Sequence, residues 1–343
     1  MNSPQIGLVA IGRNEGKHLE ACLNSVIGQV NNIVYSVIGQ VNNIVYVDSG
    51  STDDSVNTAK SLGVEVVNLD LSIPFTAARS RNAGLERLLQ INPQVEFVQF
   101  VDGDCAIVDG WLASASQVLA TNPTVAVVCG RRRERYPEQS IYNKLCDIEW
   151  QTPIGEAKYC GGDALMRVEA LQQVTGFNSQ LIAGEEPELC VRLRQHNWQI
   201  LRIDQEMTLH DAQMFSFGQW WKRSLRSGHA YAEGNWLHGK APAYHWVKET
   251  RSIWLWGLLL PAIALILAPM TRGISLLVLL AGYLLITYKT YKYYYKNRNF
   301  PRQDALLYAF FCVLAKFPQM FGQVKFYLGR WQGKQQQLIE YKN

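Results

Sequence analysis

Charge is scarce in this 343-residue chain: 18% of its residues are Asp, Glu, Lys or Arg, against about a quarter in ordinary soluble domains. Together with 48% hydrophobic residues, this argues against a disordered or acidic-tail protein. Acids are rarest towards the C-terminus, where residues 251–343 carry 12 Lys/Arg against only Asp304 and Glu340, a net of +10, while residues 1–250 net −6. An acidic N-terminal part beside a basic excess that flanks apolar runs disfavours a nucleic-acid binder. No C-x-x-C pair occurs among the seven cysteines (Cys22, Cys105, Cys129, Cys146, Cys160, Cys190 and Cys312), which argues against a disulfide scaffold or a thiolate zinc site and for a reducing compartment. The start, MNSPQIGLVAIGRNE, lacks a basic segment followed by a cleavable apolar stretch, so no export leader is expected and the bulk of the protein should stay in the cytoplasm. No G-x-G-x-x-G follows the first predicted strand, where Gly12 and Gly16 stand alone; a dinucleotide-dependent dehydrogenase is therefore disfavoured.

What the C-terminal part does contain is long uncharged runs. Ile253–Met270 holds 18 residues without a charge, and after Thr271-Arg272-Gly273 a second such run extends from Ile274 to Tyr288. Both approach the roughly 17–25 residues of a membrane-spanning helix and are apolar all round. Trp254, Trp256, Tyr283 and Tyr288 lie near their ends, although Tyr283 is deep for an interface aromatic. Lys248 and Arg251 precede the pair, Lys289, Lys292, Lys296, Arg298 and Arg302 follow it, and the linker has only Arg272. The positive-inside rule places both flanks in the cytoplasm. The expectation is a transmembrane hairpin with spans at about 253–270 and 274–288. Residues 304–328 are apolar but interrupted by Lys316, Pro318 and Lys325, and read better as an interfacial helix broken near Pro318 than as a third span. The expected domains are 1–240, 241–303 and 304–343, the last an amphipathic helix and basic tail.

Residues 1–130 alternate short β-rich runs with helical stretches, the pattern of an α/β domain with a mostly parallel sheet. Strands are expected at Gln5–Ile11, Ile44–Val47, Val64–Val67, Phe97–Val101 and Val125–Cys129. Helices are expected at Glu15–Ser25, Ser51–Lys60 (capped by Ser51 or Thr52), Thr76–Leu89 and Trp111–Leu119. An exact duplication interrupts the pattern: SVIGQVNNIVY occupies Ser25–Tyr35 and again Ser36–Tyr46. Eleven residues is too short a period for a solenoid. The surplus should protrude between the first helix and the second strand, at the end of the sheet opposite the expected site.

Polar residues gather at the carboxyl ends of these strands, where α/β sheets bind ligands. Asp102-Gly103-Asp104 is the strongest signal: two carboxylates at i, i+2 past an apolar strand, hard oxygen donors suited to Mg2+ or Mn2+ on a diphosphate. Arg13-Asn14-Glu15 and Asp48-Ser49-Gly50-Ser51-Thr52-Asp53 end two other strands. Alone, each could be a turn, and the acidic run 185–188 could be a charge cluster at a helix start.

Taken in order, Asn14-Glu15, VDSGSTD (Val47–Asp53), Arg81-Asn82-Ala83-Gly84, Asp102-Gly103-Asp104 and Gly184-Glu185-Glu186-Pro187-Glu188-Leu189 resemble the family 2 glycosyltransferases of GT-A fold over residues 5–215. The resemblance implies a Rossmann-like domain that uses a nucleotide-diphosphate sugar and a divalent metal, Mn2+ or Mg2+. Asn14, Glu15, Asp48 and Arg81 would bind the nucleotide, Asp102 the ribose or sugar, and Asp104 the metal, with His210 completing its shell. Glu186 takes the position of the catalytic base; at a helix N-terminus the dipole would favour its ionised form. Asp163 and Glu185 are candidates on the acceptor side, Arg223 and Arg226 for the departing diphosphate. Arg131–Arg133 and Arg135 read as a solvated face or as contacts to a pyrophosphate-linked acceptor. Ser49 stands where the family has a second Asp, and Glu186 where it has Asp.

The implied activity is inverting transfer of a sugar to a hydroxyl of a lipid-linked or polysaccharide acceptor, by an enzyme anchored in the cytoplasmic (inner) membrane with its catalytic domain on the cytoplasmic side. Polysaccharide biosynthesis is the implied setting, and no nucleic acid takes part. Two alternatives stay open: a polyprenyl-phosphate glycosyltransferase, whose acceptor needs no base, and a non-catalytic membrane scaffold. Sugar, nucleotide, acceptor and oligomeric state are not legible in the residues.

Overall fold

A computed structural model of the chain describes residues 4–32, 43–333 and 339–340. The chain divides into two compact units, residues 1–137 with 149–213, and residues 138–148 with 214–343.

In chain order the first unit contains β1 (Ile6–Gly12), α1 (Lys17–Asn32), β2 (Ile44–Asp48), α2 (Ser55–Ser61), β3 (Glu65–Asn68), α3 (Ala77–Ile91), β4 (Phe97–Asp102), β5 (Cys105–Ile107), α4 (Trp111–Thr121) and β6 (Val125–Glu134). Helix α5 (Ile141–Trp150) crosses the boundary, and β7 (Gly155–Glu156), β8 (Ala164–Arg167), α6 (Val168–Gln173), α7 (Glu185–Gln195) and β9 (Gln199–His210) follow. Among the described residues the strands form one sheet in the order β3-β2-β1-β4-β8-β6-β9-β5, with β7 paired to β9. The α/β fold class holds: β3, β2, β1 and β4 make a continuous parallel run, and β6 and β9 pair parallel as well. Strand β8 lies antiparallel to both β4 and β6. It follows a loop instead of a crossover helix, so nothing obliges it to run parallel. Of the duplicated segment, the first copy continues α1 to Asn32 and the second leads into β2; the surplus, at residues 33–42, lies outside the described residues.

The predicted faces pack as their periodicity requires. Leu19, Cys22, Leu23 and Val26 of α1 are fully buried, as are the apolar residues of β2. Gln99, a polar residue inside β4, is satisfied by accepting from Trp111 Nε1 (2.8 Å) and donating to the Phe100 carbonyl (2.7 Å). Helix α3 sits so close to the sheet that a Cβ at Gly84 would collide with Val9 Cγ1 and come within 2.9 Å of Val47 Cγ2. Both are stiff β-branched side chains. Gly84→Ala is therefore expected to destabilise the first unit by about 1–3 kcal/mol, measured as a lower denaturation midpoint by tryptophan fluorescence.

The second unit is helical. Composition alone suggests a boundary near residue 240, yet α8 (Phe217–His238) groups with the C-terminal helices. The reason is backbone contact: a Cβ at Gly228 would strike the Gln319 backbone, and one at Gly322 the Leu225 carbonyl. These glycines bring α8 against α13 (Lys316–Trp331). Ser216 and Gln219 close the start of α8 with a capping box.

Among the described residues, three helical stretches are long and apolar enough to cross a membrane: Val247–Leu267, Ile274–Asn297 and Arg302–Trp331, with mean hydropathies of 1.7, 1.5 and 1.4. The first joins α9 (Val247–Trp254) to α10 (Leu260–Leu267) through a widened π-turn at Leu255–Leu259. Pro261, just beyond that turn, has no N–H to offer the preceding turn, and a local widening accommodates the loss. Arg272 and Gly273, both left-handed, make the tight turn into α11 (Ile274–Lys292). Ser275 Oγ donates to the Ala264 carbonyl (2.7 Å) and Tyr283 Oη to the Trp256 carbonyl (2.6 Å). The depth of Tyr283 is thus explained by a partner on the facing helix, where apolar surroundings offer no water.

The third stretch is α12 (Arg302–Leu314) followed by α13. The break expected near Pro318 falls at Ala315. Pro318 sits in the first turn of α13, where its missing N–H would have been unpaired in any case.

Candidate functional site

Parallel register brings three loops together at one edge of the first unit. Gly12 pairs with Asp48 and Ile11 with Asp102, so the segments following β1, β2 and β4 emerge side by side.

The loop after β2 is built around Asp48. Its Oδ2 accepts from the Gly50 and Ser51 amides (both 2.9 Å), and its Oδ1 from Tyr46 Oη (3.0 Å) and Ser51 Oγ (2.5 Å). With 4% exposure, Asp48 organises its own loop through all four of these hydrogen bonds. Helix α2 correspondingly starts at Ser55 and not at Ser51. Asn14, left-handed at φ 57°, ties the first loop to the second: its Oδ1 accepts from the Thr52 amide (2.7 Å) and its amide donates to Ser51 Oγ (2.9 Å). Glu15 is half-buried, its stem so near Gly103 that a Cβ there would lie 3.0 Å away.

Arg81 is the hub of the cluster. Its Nη1 donates to Glu185 Oε1 and its Nη2 to Asp102 Oδ1, each at 2.7 Å. Burial alone would depress the guanidinium, but the charges of Asp102 and Glu185 outweigh it and hold it above its ordinary value. Asp102 remains the most open member, its side chain 31% exposed. Gly162 is required beside this pair, because a Cβ there would strike Arg81 Nη2 and come within 3.2 Å of Asp102 Oδ2.

Two residues beyond Asp102, Asp104 Oδ2 lies 3.2 Å from His210 Nε2. Cys105 completes a group whose donor atoms all fall within 4.8 Å of one another. The pairing of β5 with β9, Cys105 opposite His210, produces this meeting. Carboxylate oxygen and imidazole nitrogen fit Mn2+ well and Mg2+ through the oxygen. Behind His210, Glu134 Oε2 faces Nδ1 at 3.6 Å, and its carboxylate is fixed by the Tyr136 and Ala212 amides. A carboxylate in that position orients the ring, leaving Nε2 to face a ligand.

Asp163, proposed from the sequence to touch sugar hydroxyls, is fully buried. It accepts from the Asp102 amide (3.1 Å) and Thr208 Oγ1 (2.9 Å) and pairs with Arg132 Nη2 at 2.8 Å. It supports the end of β4 from beneath. Arg132, read from the sequence as part of a solvated face or an acceptor contact, is paired with the buried Asp163. Strand β6 continues to Glu134, so period-two alternation sends Arg132 and Glu134 to the same face, opposite Thr208 and His210. The Arg132 guanidinium also lies over the Trp150 ring, 5.4 Å from its centroid. The strand length, had it been recognised, would have exposed this pattern.

The two adjacent acids that open α7 diverge. Glu185 joins Arg81, whereas Glu186 turns inward and is 2% exposed. Glu186 Oε1 accepts from the Cys160 amide (2.9 Å), Cys160 Sγ (3.2 Å) and Cys190 Sγ (2.9 Å), and Oε2 from the Gly161 amide (2.9 Å). Burial raises its pKa in spite of these donors. Desolvation thus opposes the ionised form that a helix N-terminus favours. Arg223 and Arg226 belong to α8 of the second unit.

Residues 9–174 match the family model described as Glycosyl transferase family 2. Among solved structures, a mannosyltransferase from Pyrobaculum calidifontis in complex with GDP-Man and Mn2+ is similar at a TM-score of 0.59 and 17% identity, over 92% of this chain and 87% of that one. TarS residues 1–349 from S. aureus is similar at a TM-score of 0.52 and 13% identity, over 96% and 92% of the two chains. At such identities the likeness concerns the fold. No curated protein sequence matches the chain.

Proposed function

Because residues 9–174 form a family 2 glycosyltransferase domain, we propose that this glycosyltransferase moves a sugar from a nucleotide-diphosphate sugar to an acceptor hydroxyl with inversion at the anomeric carbon. The observation that carries the reading is the meeting of Asp104 and His210 at 3.2 Å beside the open carboxylate of Asp102.

In this reading Glu15 and Asp102 meet the nucleoside and sugar, and Arg81 holds Asp102 in place. Asp104 and His210 would hold a divalent cation, whose charge neutralises the diphosphate as it leaves. The structurally similar Pyrobaculum calidifontis enzyme carries GDP-Man and Mn2+, which supports that donor class. Arg223 and Arg226 remain candidates for the departing diphosphate by residue type. Glu186 is the base: an acceptor hydroxyl replaces the half-buried Cys160 thiol on Oε1, loses its proton there and attacks the anomeric carbon. One displacement with one base inverts the configuration.

The acceptor class follows from the anchor. We assign residues 247–297 to a membrane hairpin whose basic flanks hold the catalytic domain at the cytoplasmic face of the inner membrane, where a lipid-linked saccharide or growing polysaccharide is within reach. Packing of α13 on α8, which carries Lys222, Arg223 and Arg226, favours an interfacial position for residues 316–331 over a third crossing.

Calorimetry on the whole protein in detergent tests the donor reading. Nucleoside diphosphates should bind in the presence of Mn2+ and much more weakly without it. Absence of binding under both conditions would overturn the reading and leave a non-catalytic membrane scaffold. A panel of nucleotide-sugars, scored by Mn2+-dependent hydrolysis, then identifies the sugar.

A further inference from the structure

The first unit contains a second convergence of metal-binding side chains, around Glu186, whose two thiols have no part in the proposed transfer chemistry. Glu186 and Cys190 are i, i+4 neighbours on α7 and share one face. The loop before β8 delivers Cys160 to the same point. One donor atom from each of the three lies within 4.8 Å of the others. Cys190 Sγ stands 2.9 Å and Cys160 Sγ 3.2 Å from the same oxygen, Glu186 Oε1. The cysteine spacing in the sequence gives no hint of this, because the residues meet only in space.

We propose that Cys160, Cys190 and Glu186 form a binding site for a thiophilic divalent cation of the Zn2+ class, separate from the Asp104–His210 pair. Tetrahedral Zn2+ takes sulfur at about 2.3 Å and carboxylate oxygen at about 2.0–2.2 Å, which sets sulfur and oxygen about 3.5 Å apart. The observed separations need to open by only a few tenths of an ångström. Ligand softness favours this site for Zn2+: it offers two thiols and a carboxylate, whereas the other group offers one thiol, Cys105, beside a carboxylate and an imidazole. Burial holds both thiols protonated, with Cys190 pushed up to about 12. Binding therefore exchanges two thiol protons, released to solvent, for one cation, with no change of oxidation state. Three protein ligands leave the fourth position to a water or another external ligand. A cation so placed occupies Glu186 Oε1. If Glu186 is the base of the transfer reaction, as proposed above, the cation also blocks transfer; that consequence rests on the proposed function, whereas the binding does not.

The test uses the whole protein in detergent, stripped of metal and titrated with Co2+ as a spectroscopic probe. The expected result is one equivalent with thiolate-to-cobalt charge-transfer absorption, displaced by Zn2+, retained in Asp104→Ala and lost in the Cys160→Ser/Cys190→Ser double variant. A second measurement needs no variant: Zn2+ should protect Cys160 of the native chain from alkylation, read by mass spectrometry. No thiolate band with the native chain, a band surviving in the double variant, or Cys160 alkylated equally with and without Zn2+ would each overturn the site. Zn2+ inhibition that extra Mn2+ does not relieve is the expected functional consequence. A thiolate band without inhibition would leave the site standing and remove Glu186 as the base.

Discussion

Asp104→Ala is expected to lower sugar transfer by on the order of 10²–10³-fold and to abolish the Mn2+ dependence of nucleoside diphosphate binding. The size follows from what Asp104 supplies. Its Oδ2 faces His210 Nε2 at 3.2 Å, and a cation held by the pair would keep the imidazole and lose the carboxylate. A diphosphate leaving group builds up charge as its bond to the sugar breaks, so the loss should appear in kcat as well as in donor affinity. His210→Ala should produce a smaller effect of the same kind, since imidazole contributes a ligand but no charge. Calorimetry with and without Mn2+ and initial-rate kinetics check both. Donor binding by Asp104→Ala as tight and as Mn2+-dependent as in the parent would remove this residue from the metal site.

Glu186→Gln is expected to cost roughly 10²–10⁴-fold in kcat, the range for loss of a general base, with donor KM little changed. The amide nearly preserves the shape of the carboxylate and can still accept from the Cys160 and Gly161 amides through its single oxygen, in one orientation. What it cannot do is take a proton. Glu185→Gln offers the contrast. It weakens the pairing with Arg81 at 2.7 Å and so loosens Asp102, which should raise donor KM more than it lowers kcat. If Glu186→Gln retained full activity, an acceptor that arrives already ionised, such as a polyprenyl phosphate, would be indicated. Were Glu185→Gln the variant with the large kcat loss, the base would be Glu185, which already faces the cluster.

The motif order was legible because each motif ends a strand, and strand ends are marked twice, by the apolar run and by the polar residues that stop it. Asp102 and Asp104 are found this way, and His210 follows from the resemblance. What stayed hidden depends on phase and length. Arg131–Arg135 look like a solvated loop if β6 is ended at Cys129, but β6 continues through Gly130, whose position admits no side chain beside Trp111 and Met207. Once the strand is extended, Arg132 and Glu134 point inward and become the supports of Asp163 and His210. The divergence of Glu185 from Glu186 is likewise set by the rotational phase of α7, which residue types alone do not reveal. Asp48 and Asp163 show a third limit: acids of a binding motif can be bonded completely by their own loops and strands, and only hydrogen-bond geometry tells a support from a contact.

The division of the chain has a bearing on how the molecule is made. Residues 138–148 belong to the helical unit, yet they are synthesised before the catalytic sheet is finished by β9. Leu145 packs with Trp220 and Phe311, and Ile148 with Phe300 and Ala305. At about 5–20 residues per second, these partners leave the ribosome on the order of ten seconds later. The catalytic unit can therefore close while α5 still lacks its neighbours, and the helix is completed only as the apolar C-terminal helices emerge. No single cut in the chain yields the catalytic unit alone: a polypeptide ending near residue 213 still carries a helix whose apolar side was made for segments that it no longer contains.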